Sequence, residues 1–195
     1  MKISLGKISL ILFEISYFIF LSFSILGHIP TMGGYLKVLT NFGIGIILLS
    51  ILLQIKTYKK KEIMILSLLL IFSLVLVYFC NDFILFKIVL FITALKNVQI
   101  EHCITIDLYM RMILVLSVLF LYLLNIAPDV TSFYNGVTRH SLGFTNPNNL
   151  GMHILILSFD IICLNNFKIS KIKYIVIIFL LIFSDYFSGS RSTTY

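Results

Sequence analysis

Apolar runs of about 15 to 20 residues recur along the whole chain, and short polar clusters separate them. About 20 helical residues cross a hydrocarbon core of about 30 Å, so each run has nearly the length of a transmembrane helix. The composition agrees, because 59% of the 195 residues are hydrophobic and 12% are charged. Soluble domains are typically about 45–50% apolar and about 25% charged. The sequence therefore predicts an all-α, polytopic integral membrane protein with no soluble catalytic domain.

About seven transmembrane helices are predicted, and they form a single transmembrane domain over residues 1–195. Their expected ranges are 8–27, 36–55, 63–80, 83–95, 110–127, 148–165 and 173–188. Ile, Leu and Phe lie on all sides of these helices, which is typical of lipid-facing segments. Their middle thirds are almost purely apolar. The first run has a basic start like a signal peptide but no small-residue cleavage site, so we expect it to be retained.

The distribution of Lys and Arg predicts the orientation of the helices. The strongest basic cluster, residues 56–61, is expected in the cytoplasm by the positive-inside rule. Alternation then places the amino terminus and eleven of the fifteen basic residues, Arg111 among them, on the cytoplasmic side. The other four are expected outside: Lys37, Lys87, Arg139 and Arg191. We therefore expect a multi-pass protein of the cell membrane with a cytoplasmic amino terminus.

Several classes of function are disfavoured by the residue pattern. The basic residues lie in short clusters between apolar runs, which indicates membrane topology and not nucleic-acid binding. The three cysteines, Cys80, Cys103 and Cys163, include no CxxC pair, so neither a disulfide framework nor a zinc site is indicated. No Walker, GxSxG, HExxH or acidic metal motif occurs. We expect no metal or cofactor, and neither an ATPase nor a metal-dependent sugar-nucleotide transferase.

The longest connection, at about 128–148, is predicted to carry an anion site on the outer face. Asn146 suits a helix N-cap and Pro147 the first helical position, so the sixth helix should begin there. The N–H groups and positive dipole end of a helix start favour an anion. Arg139 lies seven residues before the cap, and Gly143 permits a tight return of the chain. The guanidinium can then fold back above the helix start.

A second cation is expected at the same face. Arg191 follows the seventh helix in the turn Ser188-Gly-Ser-Arg191, among hydroxyl donors that include Ser190. Together with Arg139, and with Asn146 and Asn148 in support, it would suit a phosphate or pyrophosphate at headgroup depth. The alternative is that Arg139 is only a headgroup anchor and the Asn-Pro start only a cap.

Four other polar residues, on the predicted helices or beside Arg139, have functional or structural interpretations. His140 could carry a proton near neutral pH or be only polar surface. Asp185, six residues before Arg191, could orient that guanidinium. His153 is expected to pack or form a hydrogen bond, and Asp160 is expected to contact Lys near the cytoplasmic end of its helix.

The stretch Arg139-His-Ser-Leu-Gly-Phe-Thr-Asn-Pro-Asn-Asn-Leu-Gly151, followed after one further hairpin by Ser188-Gly-Ser-Arg191, resembles a known family. It is similar to the O-antigen and capsular polysaccharide polymerase (Wzy-type) and O-antigen ligase superfamily. The likeness covers about 128–195 by motif and the earlier helices only by hydropathy. It implies a metal-independent glycosyltransferase at the outer leaflet, in which Arg139 and Arg191 hold the pyrophosphate of an undecaprenyl-pyrophosphate-linked glycan.

The same likeness implies that the chain is either the amino-terminal part of a longer polymerase or the product of a truncated gene, and that it is inactive alone. Members of the superfamily usually have ten or more spans and a large later outer loop with further catalytic groups, so the catalytic residues are unknown here. The implied partners are the lipid-linked glycan, membrane lipid, and a chain-length regulator or a flippase. Two alternatives stay open: O-antigen ligase-type transfer to a different acceptor, and a flippase or transporter of lipid-linked sugars. The apolar middle thirds argue against transport.

Overall fold

The computed structural model describes residues 5–27, 29, 32–80, 83–96, 98–134, 137–165 and 168–188. These residues form seven α-helices, one 3-10 turn and one β-hairpin. In chain order the elements are α1 (Leu5–Leu26), α2 (Gly33–Gln54), the 3-10 turn (Ile55–Thr57), α3 (Lys60–Cys80), α4 (Ile84–Ala94), α5 (Ile100–Leu123), β1 (Thr131–Tyr134), β2 (Val137–His140), α6 (Pro147–Leu164) and α7 (Lys171–Ser188).

Five of the described helices are long and apolar enough to cross a membrane: α1, α2 with its 3-10 extension, α3, α5 and α6. The 11 residues of α4 make a helix about 17 Å long, which is about half of a hydrocarbon core. The 18 residues of α7 include Lys171, Lys173 and Asp185. The all-α prediction is confirmed apart from the small hairpin, and the apolar helices fit a membrane protein. The number of spans and the orientation stay predictions.

The chain divides into two compact units, Met1–Phe20 with Val38–Gln99 and Leu21–Lys37 with Ile100–Tyr195. In the first unit, α1 and α2 are joined by hydroxyl groups. Ser9 and Ser50 hydrogen-bond each other at 2.9 Å, and Ser16 donates to the carbonyl of Gly43 at 2.9 Å. Small and hydroxyl side chains let helix backbones approach closely where lipid supplies no hydrophobic driving force.

In the second unit, α5 packs against α6 and α6 packs against α7. β1 and β2 are antiparallel, with Ser132 opposite Arg139, and β2 contacts α7. We call the part of this unit that holds the α5–α6 connection, residues 124–134 and 137–146, the hairpin end. We expected an irregular loop over this segment. The dipeptide Asn135-Gly136 between residues that favour strands is a strong hairpin signal, and it predicts the pairing that the structure has.

The start of α5 differs most from its expected position. We expected the helix at 110–127, but α5 begins at Ile100, ten residues earlier. Asp107 and Arg111 form an i,i+4 ion pair, so these charged residues do not end the helix. Arg111 is consequently the twelfth of 24 residues in α5 and lies in its middle, whereas we expected it at the start of the helix.

Candidate functional site

The start of α6 is capped as the sequence predicts. Asn146 is extended, with φ −155° and ψ 162°, and Pro147 is the first helical residue. The Asn146 side-chain oxygen accepts hydrogen bonds from the backbone N–H groups of Asn148 at 2.9 Å and Asn149 at 3.2 Å. The cap therefore fixes where α6 begins and how its first turn is presented at the hairpin end.

The chain returns to α6 through a turn that requires glycine. Gly143 has φ +90°, and a Cβ atom at this position would lie 3.0 Å from Cβ of Tyr122 and 3.1 Å from Cβ of Ala127. The backbone N–H of Phe144 donates to the carbonyl of Ser141 at 3.0 Å. The turn at Gly143 therefore packs closely against the end of α5, and Phe144 is buried.

This return places Arg139 over the first turn of α6. Its Nη2 group donates to Oδ1 of Asn148 at 2.6 Å. Arg139 is partly exposed and Asn148 is exposed. A guanidinium keeps its charge at any relevant pH, and here it lies beside the positive end of a helix dipole. Both features favour an anion at this position.

Asp129 joins the two ends of the hairpin segment. Its Oδ1 accepts the backbone N–H groups of Ser141 at 2.8 Å and Leu142 at 3.0 Å, and its Oδ2 lies 2.6 Å from Nδ1 of His140. Partial burial raises the pKa of Asp129, but the hydrogen bonds from His140 and from these N–H groups outweigh burial and hold the pKa below its ordinary value. Asp129 therefore acts as an anion. It holds His140, Ser141 and Leu142, at the end of β2, close to the segment that follows α5.

Asp129 was not among the residues that we predicted for the site. Its partners His140 and Ser141 lie 11 and 12 residues later, and only the pairing of β1 with β2 brings them together. The Asn135-Gly136 dipeptide predicts the pairing of β1 with β2, and that pairing in turn predicts the contact of Asp129 with His140 and Ser141. His140, which we predicted as a supporting residue, is oriented by this carboxylate.

The remaining predicted residues are only partly described. Asp185 is exposed in the last turn of α7, and α7 contacts β2 of the hairpin end. Arg191 and Ser190 lie outside the described residues. Their approach to Arg139, and the pairing of Arg191 with Asp185, stay predictions.

A second polar group, which we did not predict, lies between α5 and α6. We call Asp107, Arg111, His153 and Asp160 the Arg111 cluster. Arg111 donates to both carboxylate oxygens of Asp107 at 2.8–3.1 Å, and its Nη1 lies 3.0 Å from Nδ1 of His153. Asp160 faces Asp107 and Arg111. Arg111 is 8% exposed and His153 is 2% exposed, so these two side chains are buried, whereas Asp107 and Asp160 are partly buried.

This cluster corrects three expectations. The middle of α5 is not purely apolar, Arg111 is not at the cytoplasmic start of its helix, and the partners described for Asp160 are Asp107 and Arg111, where we expected Lys. The hydrogen bond predicted for His153 is confirmed. The available signals were the i,i+4 spacing of Asp107 and Arg111 and the seven-residue spacing of His153 and Asp160, which puts both on one helix face.

No protein-family model, curated protein or solved structure matches this chain. The resemblance to the polymerase and ligase superfamily therefore rests on the motif, and the function has to be argued from the site itself.

Proposed function

We propose that the chain functions as a membrane glycosyltransferase of the polysaccharide-polymerase type, which binds an undecaprenyl-pyrophosphate-linked glycan at the outer leaflet. The observation that supports the proposal is the position of Arg139 on Asn148, over the capped start of α6. Guanidinium and phosphate form paired, charge-assisted hydrogen bonds, and a helix start adds its dipole to the same anion.

The chemistry of the reaction needs such a cation. An acceptor sugar hydroxyl attacks the anomeric carbon, a new glycosidic bond forms, and the bond from that carbon to pyrophosphate breaks. The departing pyrophosphate takes the electron pair, so negative charge grows on it. Arg139 would stabilise that charge, and Asn148 would hold the guanidinium in place. His140, oriented by Asp129, is the described side chain best suited to accept the hydroxyl proton.

By the likeness of the motif, we propose that Arg191 and Ser190 also bind the pyrophosphate. Asp185 would orient the guanidinium of Arg191. It also implies a chain-length regulator or a flippase as partners. Ligase-type transfer would use the same donor site, and only the acceptor in the product would distinguish it from polymerisation.

Binding of the lipid carrier to the purified chain in nanodiscs tests the proposal. The probes are undecaprenyl pyrophosphate and undecaprenol, which differ only in the anionic head. The chain should prefer the pyrophosphate, and Arg139→Ala should weaken that binding by roughly ten- to a hundredfold, since a hydrogen bond to a charged group contributes about 1.5–3 kcal/mol. Arg139→Lys should restore part of it, because Lys keeps the charge and loses the fork geometry.

Lys168→Ala is the matched control, because Lys168 is exposed and lies beyond the opposite end of α6. It should bind like the wild type. Equal binding of the two lipids, or an unchanged affinity in Arg139→Ala, would make Arg139 a simple headgroup anchor. In cells that make polymer with this chain, Arg139→Ala should lower the yield of polysaccharide by roughly a hundredfold to a thousandfold at matched protein level. Removal of one hydrogen-bond donor to the transition state typically lowers a reaction rate by this factor.

Movement of a lipid-linked sugar across the bilayer is the second candidate function. The buried Arg111 cluster favours it, because ionisable residues inside transmembrane helices commonly mark transport paths. Vesicles that contain the chain and a fluorescent lipid-linked sugar distinguish the two functions. Transport predicts that the label moves between leaflets, and the polymerase proposal predicts that it does not.

A further inference from the structure

The charges of the Arg111 cluster do not balance when both carboxyl groups are ionised. The cluster holds two carboxyl groups, one guanidinium and one imidazole, all between α5 and α6. Arg111 can only donate hydrogen bonds, so Nδ1 of His153, 3.0 Å from Nη1, must accept. An imidazole that accepts at one nitrogen carries a proton only at the other and is neutral. The guanidinium then compensates one carboxylate of the two.

Asp107 is the carboxylate that Arg111 compensates. Both of its oxygens accept hydrogen bonds from Nε and Nη2 of that arginine. The other carboxyl group, that of Asp160, lies within hydrogen-bonding reach of Asp107, and its Oδ2 atom is buried without a hydrogen-bond partner among the described residues. Two adjacent carboxylates repel each other, and an uncompensated charge inside a helix pair is costly. A neutralising ion is therefore needed at Asp160.

A proton fits this position better than a metal cation. Among the described residues, no group of three or more His, Cys, Asp or Glu side chains is arranged to hold a metal ion. Lys173, near the start of α7, has a different partner, since its Nζ donates to Oδ1 of Asn165 at 2.6 Å. A hydrogen bond between Asp160 and Asp107 itself requires a proton on one of them, because an ionised carboxylate can only accept.

A cavity lies one residue further along α5 and α6 than the two aspartates. It has a volume of about 320 Å³ and is lined by Leu108, Tyr109, Ile161, Leu164, Asn165 and Lys173. Leu108 and Ile161 directly follow Asp107 and Asp160 in the chain, and Leu164 and Asn165 lie at the end of α6 away from the hairpin, so the aspartates themselves are not among the lining residues but are their neighbours in the chain. Its polar lining at Asn165 and Lys173 suits water, through which a proton can exchange.

We infer that Asp160 is a proton-binding site: it holds one proton at neutral pH, shares it with Asp107, and exchanges it through this cavity. Release of the proton adds one negative charge to the α5–α6 interface, so the packing of these two helices is linked to pH. The inference depends on neither function proposed above.

Infrared difference spectroscopy of the purified chain in lipid tests the site, because a protonated carboxyl group has its own C=O stretching absorption. At pH 7 the wild type should show one such group that Asp160→Asn removes. Asp107→Asn should also remove it, since Asp160 then ionises against Arg111. Arg111→Gln should add a second protonated carboxyl group, because Asp107 loses its cation. Glu101→Gln, at an exposed carboxylate in the first turn of α5, should change nothing.

The wild type alone suffices if a variant fails to fold, because its absorption should disappear as the pH is raised. A difference spectrum between the wild type and Asp160→Asn with no protonated carboxyl group at pH 7 would overturn the inference. So would loss of the absorption on addition of NaCl at constant pH, which would show that a sodium ion and not a proton occupies the site.

Discussion

Two arginines of the second unit differ in how the fold holds their charge. Arg111 is buried in the middle of α5, bound to both oxygens of Asp107 and to His153. Arg139 is partly exposed at the hairpin end, and the neutral amide of Asn148 accepts its hydrogen bond. A carboxylate accepts hydrogen bonds from the first guanidinium inside a helix pair, whereas a neutral amide accepts one from the second at an exposed helix start. The difference supports the proposal that Arg111 has a structural role and Arg139 a ligand-binding role.

Removal of the two guanidinium groups should therefore have very different effects on stability. Arg111→Ala removes the guanidinium that Asp107 binds in this largely buried ion pair, and loss of one partner of a buried ion pair typically costs about 3–5 kcal/mol. Arg139→Ala should cost less than about 1 kcal/mol, as for groups near the surface. Unfolding of the purified chain in detergent, followed by circular dichroism, measures both.

The double variant Asp107→Leu with Arg111→Leu sharpens this comparison. Replacement of a whole buried ion pair by apolar residues is often neutral or stabilising, so the double variant should recover most of the stability lost in Arg111→Ala. Similar losses in Arg111→Ala and Arg139→Ala would contradict the distinction between the two arginines.

The turn that positions Arg139 should be the next most sensitive feature. Gly143→Ala puts a Cβ atom at φ +90° and 3.0 Å from Cβ of Tyr122. A non-glycine residue in such a conformation costs about 1–3 kcal/mol. The substitution should lower stability by this amount and also weaken pyrophosphate binding, because it displaces the segment that carries Arg139.

Gly45→Ala is the control for this substitution. Gly45 is helical, and a Cβ atom there would meet nothing within 4 Å, so the change should be neutral or stabilise by up to about 1 kcal/mol. If Gly143→Ala behaved like Gly45→Ala, the tight return of the chain over α6 would be wrong.

Asp129 should give the hairpin end a small dependence of stability on pH. Its pKa is lower in the folded state than the ordinary value of about 3.9, so its contribution is fully present above that value and is lost as the pH falls through the lower, folded pKa. The melting temperature of the wild type should exceed that of Asp129→Asn by a constant amount above about pH 5. This difference should shrink as the pH falls below about 4, and a difference that is independent of pH would contradict the role of Asp129.

The parts of the site that the sequence predicted depend on local chemistry. The Asn146 cap, Pro147 and the Gly143 turn each follow from a few neighbouring residues, and all three occur as expected. The Arg111 cluster could not be found in this way, because Arg111 and His153 are 42 residues apart and meet only when α5 packs on α6. The early start of α5 was missed for a related reason, since a charged residue with a helical partner does not end a helix.

The predicted topology depends most on α4. If this 11-residue helix does not cross the membrane, the hairpin end with Arg139 lies in the cytoplasm, away from any outer-leaflet donor. The alternation used for the charge count requires that α4 does cross.

Labelling of a single cysteine in intact cells tests the location of Arg139 most directly. Thr138 is exposed in β2, next to Arg139. We would place Thr138→Cys in a chain whose Cys80, Cys103 and Cys163 are replaced by Ser, with Lys60→Cys as the cytoplasmic control. We expect a membrane-impermeant thiol reagent to label position 138 in intact cells and position 60 only after permeabilisation. Labelling of position 138 only after permeabilisation would place Arg139 in the cytoplasm and contradict the proposed function.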